Sequence, residues 1–125
     1  MNFSFNISQG LETGGRAVAK LEKLLTGNFD TILRRVTDGV LGGSCSGSLE
    51  DSSDFFGENC RCSVRVFERY SAFGGNRVSM SVTLFQREDG KIQLSAITAG
   101  GSQAMFFKLN TLGEESFLDT LREII

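Results

Sequence analysis

No histidine, tryptophan or proline occurs in the 125 residues, and there are only three cysteines and one tyrosine. Each absence closes off chemistry. Histidine is the side chain whose unperturbed titration falls near neutral pH, and it is the usual general base of serine and cysteine hydrolases. An odd number of cysteines cannot pair completely within one chain. Cys60 and Cys62 stand two apart on a predicted strand, which separates their side chains by roughly 6–7 Å. A disulfide needs Cβ atoms about 3.5–4.5 Å apart, so both are expected to be reduced core thiols. Only Cys45 remains as a third thiol, too few for a zinc site without histidine. No metal or cofactor is expected.

Neither sign of charge is in marked excess. A net charge of −2 points to neither a polyanionic nor a polycationic partner. No apolar run reaches the roughly 18 residues a membrane helix needs, and Met1 to Ile7 carries neither the basic nor the apolar region of a secretory signal. One cytoplasmic domain over residues 1–125, with no membrane partner, is the expectation. Without proline, turns fall to the 15 glycines.

The remaining pattern predicts an α+β domain in the order β-α-α-β-β-β-β-α. Asn2 to Ile7 alternates with Phe3, Phe5 and Ile7 on one face, as a half-buried strand does. A helix starting between Leu11 and Gly15 and running to Leu25 is predicted from Val18, Leu21, Leu24 and Leu25, with Arg16, Lys20 and Lys23 on its wet face. A second helix is capped by Asn28 or Asp30 and carries the stripe Phe29, Ile32, Leu33, Val36 and Val40 up to Gly42-Gly43. Asp30 and Arg34 are spaced for an i,i+4 pair. The period then becomes two. Cys45, Gly47 and Leu49 form one run, and an acidic loop with Glu50, Asp51, Asp54 and Glu58 leads to the next. That run places Cys60, Cys62, Val64 and Val66 on the core face. Val78, Met80, Val82 and Leu84 follow, then the hairpin signal Asp89-Gly90, then Ile92, Leu94 and Ala96. Thr111 to Glu114 has capping-box spacing before the apolar stripe Phe117, Leu118, Leu121, Ile124 and Ile125 of a closing helix. Hairpin connections make the sheet five-stranded and mostly antiparallel, with three helices on one face. This order resembles a shortened helix-grip fold or the TATA-binding-protein-like group.

Two regions are candidates for function. The first is the loop Gly100, Gly101, Ser102, Gln103 with the pair Phe106 and Phe107, read as the mouth of a pocket between sheet and helices for a small apolar or amphipathic ligand. Its superficial likeness to a serine nucleophile elbow has no base to serve it. No phosphate-loop pattern is present, and the plain alternative is a turn or bulge after the last strand. The second is a hydroxyl-rich outer sheet face carrying Arg61, Arg65, Arg77 and Lys91, with Ser63, Ser79, Ser81, Thr83, Gln93 and Ser95 between them. Single-stranded nucleic acid is disfavoured there, because its binders interleave cations with stacking aromatics. A homodimer through that face or through an edge strand is the competing reading, and an enzyme ranks third.

Five segments stand out: Ser46-Gly47-Ser48-Leu49-Glu50-Asp51, Val66-Phe67-Glu68-Arg69-Tyr70, Asn76-Arg77-Val78-Ser79, Gln103-Ala104-Met105-Phe106-Phe107 and Glu114-Glu115-Ser116-Phe117-Leu118. Together they resemble a small family of uncharacterised bacterial proteins, a domain of unknown function. The resemblance implies a bacterial, cytoplasmic, single-domain protein. It carries no activity and no site residues.

Overall fold

Alternation with period two governs most of this chain, and the backbone follows it. The computed structural model describes residues 5–9, 17–43, 47–70 and 77–100. In chain order these form β1 (Phe5–Gln9), β2 (Ala17–Leu25), α1 (Phe29–Gly42), β3 (Ser48–Phe56), β4 (Arg61–Tyr70), β5 (Arg77–Gln86) and β6 (Ile92–Gly100). The strands make one six-stranded sheet in the order β1-β2-β6-β5-β4-β3, every neighbouring pair antiparallel. β2 and the far-edge strand β3 are joined by α1, which crosses one face of the sheet and buries its stripe there.

That stripe is Phe29, Ile32, Val36 and Val40, with Leu33 partly buried beside it. Asn28 caps the helix as its sequence position predicts: its side-chain oxygen accepts from the Thr31 N–H at 2.9 Å, filling one of the donors a helix start leaves open. The opposing layer is Ala19, Leu21 and Leu25 of β2, Ile92, Leu94 and Ala96 of β6, and Val78, Met80, Val82 and Leu84 of β5. The β5–β6 hairpin holds these last two strands in register. The Gly90 N–H donates to the Arg87 carbonyl and the Arg87 N–H to the Lys91 carbonyl, both at 2.9 Å. Gly90 takes φ +84°, a conformation that suits glycine. The loop is thus a turn closed by a left-handed glycine, one residue longer than an Asp89-Gly90 turn alone.

Four expectations are corrected. The predicted first helix is strand β2, so the fold is mostly β with a single helix among the described residues, rather than α+β with three helices over a five-stranded sheet. Ala, Lys, Leu and Glu dominate 17–25 and favour helix, but intrinsic propensity is a weak prior. Here β1 and β6 pair with both edges of the segment and satisfy its backbone. Lys23 hid the alternation, since it stands on the same face as Leu21 and Leu25. The element order behind the helix-grip and TATA-binding-protein-like resemblance is therefore not the one found. Next, the acidic stretch is no loop: Asp51 to Phe56 belong to β3, which pairs with β4 after a register shift between Leu49 and Asp51. β4 is also turned over. Its pairing sets Phe67 opposite Met80, Arg65 opposite Val82 and Ser63 opposite Leu84. Because partners across a ladder share a face, Arg61, Ser63, Arg65, Phe67 and Arg69 lie on the helix side, and Cys62, Val64 and Val66 on the other. Finally, Cys60 and Cys62 are free but half-buried, not core residues. The predicted closing helix lies outside the described residues.

Candidate functional site

The sheet has two unlike faces, and the residues singled out from the sequence are divided between them. On the helix side, Arg61 donates to Asp30 at 3.1 Å, its guanidinium carbon 4.0 Å from the Phe29 ring centroid and 4.9 Å from that of Phe56. Asp30 thus spends its charge across the fold on Arg61 and not on Arg34. Four residues along, Arg65 meets Asp54 at 3.1 Å, and the Ser63 hydroxyl donates to the same carboxylate at 2.6 Å. That hydrogen bond, followed by the Arg65 guanidinium, holds the Asp54 carboxyl below its usual range. Burial lowers the guanidinium of Arg69, the third arginine of the row. Arg61 and Arg65 therefore leave the outer face on which the sequence placed them.

Arg77 does stand on the outer face, ion-paired with Glu68, and Lys91 sits in the β5–β6 turn, its N–H donating to Asp89 at 3.0 Å. The four cations do not form one surface. Gly100 is the last residue of β6, paired on one side with Ala17 and on the other with Val78. A Cβ on it would lie 2.5 Å from the Arg77 carbonyl oxygen, so close backbone approach accounts for glycine at this position. Gly101, Ser102, Gln103, Phe106 and Phe107 lie outside the described residues.

The open face is built by the alternate positions of five strands. One row across it, set by the register, runs Phe55, Cys62, Phe85, Gln93, Leu24. Phe55 is 61% exposed and Phe85 37%, and Ile97 and Tyr70 are exposed further along the same face. Most charges on this face are paired in place: Lys20 meets Glu22 at 2.7 Å and Arg77 pairs with Glu68, while Asp51, opposite Val66 at the β3 edge, meets no cation among the described residues. Two shallow hollows flank Phe85. One, of about 320 Å³, is lined by Glu22, Leu24, Thr83, Gln93 and Ser95; the other, of about 420 Å³, by Cys60, Arg87, Glu88 and Asp89. Beneath α1, where the pocket was expected, Val36, Val40, Leu21, Ile92 and Ala96 are fully buried against one another. No group of three or more metal-ligating side chains occurs among the described residues, and no described helix is long and apolar enough to cross a membrane.

A family model matches residues 18–125, every described element except β1 and the first residue of β2. The chain belongs to DUF6054, a family of unknown function. The resemblance read from the sequence was thus to a family of the right kind. Comparison with curated proteins gives no match. Among solved structures, PA94 from Pseudomonas aeruginosa, a protein of unknown function described as a candidate regulator, is similar with a TM-score of 0.59. The two share 9% identity over 100% of this chain and 83% of that one, a likeness that shows the fold alone.

For this DUF6054 chain, sequence reasoning missed the open-face row. Phe55 falls in the stretch expected to be a loop, and Cys62 stands on the face opposite the one its alternation predicts. The usable signal was the ladder itself: once β5 is oriented by Met80 and Val82, a short hairpin to β4 fixes which residues of β4 and β3 stand beside Phe85.

Proposed function

We propose that this DUF6054 protein is an interaction module that self-associates through the open face of its sheet. The observation that carries this is the exposed row around Phe55 and Phe85 on a face that α1 leaves uncovered. A solvated antiparallel face ordinarily alternates polar residues there. This one holds Phe55, Cys62, Val64, Val66, Phe85, Leu24 and Ile97. Its charges are largely paired internally, and the one left over, Asp51, lies at the β3 edge, so a second copy of the same face meets little repulsion. Its size also fits: five strands about 4.8 Å apart and nine residues long present roughly 700 Å², near the ~800 Å² per partner of a standard interface.

Sedimentation of the wild-type chain and of the double variant Phe55→Lys/Phe85→Lys tests the reading. A concentration-dependent dimer that the variant abolishes, with its melting unchanged, is the expected result. A wild-type chain that stays monomeric into the submillimolar range, or a dimer that persists in the variant, overturns it.

A further inference from the structure

A second surface stands apart from the open face. β3 is an edge strand whose described pairing is with β4 alone, and eight of its nine residues are exposed. An edge strand presents a row of unpaired N–H and C=O groups, a template for another extended chain. Proteins guard such edges, and the guard here is chemical: Glu50, Asp51 and Asp54 lie on the strand, Glu58 follows it, and no basic residue occurs between Gly47 and Cys60. Among the described residues, Asp51 and Glu58 meet no cation, while Glu50 reaches Arg77 only at 4.0 Å. A second copy of β3 laid against this edge would bring carboxylates onto carboxylates, and like charges directly opposed in a ladder destabilise it. The same charges favour a strand of opposite sign.

We propose that β3 is the docking strand for an extended, lysine- or arginine-rich segment of another protein. The segment adds to the sheet as a seventh strand beside Asp51–Phe56, beyond the register shift at Leu49/Asp51. Backbone hydrogen bonds supply the sequence-independent part of the affinity, and the carboxylates select the sign of the partner's charge. At the far end Phe55 projects to the open face and Phe56, 73% exposed, to the helix side. Apolar residues two successive positions along the incoming strand would each meet one of them.

The test uses the full chain and two fluorescein-labelled octapeptides, one alternating lysine with valine and the other alternating glutamate with valine. Fluorescence anisotropy at low salt should show saturable binding of the lysine peptide and none of the glutamate peptide. Glu50→Lys/Asp51→Lys, exchanging two exposed charges, should weaken the lysine peptide about tenfold. Hydrogen exchange should slow at β3 amides in the complex. Absence of binding at millimolar peptide, equal binding of both peptides, an unchanged affinity for the double variant, or slowing confined to β2, β5 and β6 each overturns the proposal. The last outcome assigns the peptide to the open face instead.

Discussion

The helix-side face of the sheet is one continuous surface with two chemistries. Over β2, β6 and β5 it is mainly apolar, with Leu21, Leu94, Ala96, Val78, Met80, Val82 and Leu84 each no more than 2% exposed and Lys23 as the charged exception. Over β4 and β3 the same face carries Arg61, Ser63, Arg65 and Arg69 with Asp54 and Phe56, and Phe67 is the apolar side chain there that reaches the core. Strand lengths and pairing are alike on both sides, so neither explains the change. The stripe of α1 meets the first half, and Arg61, reaching Asp30 and Phe29, marks where its cover gives out. Register decides which side of the sheet a residue faces. What lies above decides whether that side is oil or salt.

Two phenylalanines of the β4–β3 half show where the core ends within it. Phe67 is fully buried opposite Met80, and Phe56 is 73% exposed at the end of β3. Phe67→Ala should cost about 3–5 kcal/mol, the range for emptying a core aromatic position. Phe56→Ala removes mainly one side of the Arg61 sandwich and should cost no more than about 1 kcal/mol. Urea unfolding of the two variants measures the difference. Equal losses would mean that the core extends past Phe67 of β4 to Phe56 of β3, leaving no boundary between the two chemistries.

The same division explains what could be read from the chain beforehand. Where both layers are apolar, the pattern was legible: the α1 stripe, its Asn28 cap and the inward residues of β5 and β6 all stand where alternation or helical spacing puts them. It failed where the inward position is charged. Lys23 in β2 made a strand look like a wet-faced helix, and Arg61 and Arg65 in β4 made the inner face look like the outer one. A charged residue under a helix edge, paired with Asp30 or Asp54, is a tertiary fact. Both acids come from other elements, and no local period reports them. The candidate surfaces suffered most, since the open-face row depends on the orientation of β4 and the docking strand on recognising Asp51 to Phe56 as strand at all.

Arg61 tests the seam between the halves. Its guanidinium lies between Phe29 and Phe56 and pairs with Asp30, whereas Arg34, the local candidate for Asp30, is exposed on the helix. Arg61→Ala should cost about 1–2 kcal/mol from the lost stacking, packing and pair. Arg34→Ala should change stability by less than about 0.5 kcal/mol. If the two variants unfold alike, the seam is decorative and the arginine is only a solvated surface group.

Asp54 offers the smallest and most specific effect, because it belongs wholly to the salt-lined half. The Ser63 hydroxyl first, and Arg65 after it, hold its carboxyl below the ordinary value of 3.8. A carboxylate depressed in the folded state binds protons more readily once unfolded, so its contribution to stability is present above that ordinary value and lost as the pH falls through the folded one. Asp54→Asn should therefore be less stable than the wild type at neutral pH, by less than about 1 kcal/mol for so exposed a pair. The gap should close as acid drops below about pH 4. Urea midpoints of both proteins across that interval read it directly. A gap that stays constant with pH would assign the loss to the Ser63 hydrogen bond as a neutral contact, and would remove electrostatics from the account of how β3 is held against β4.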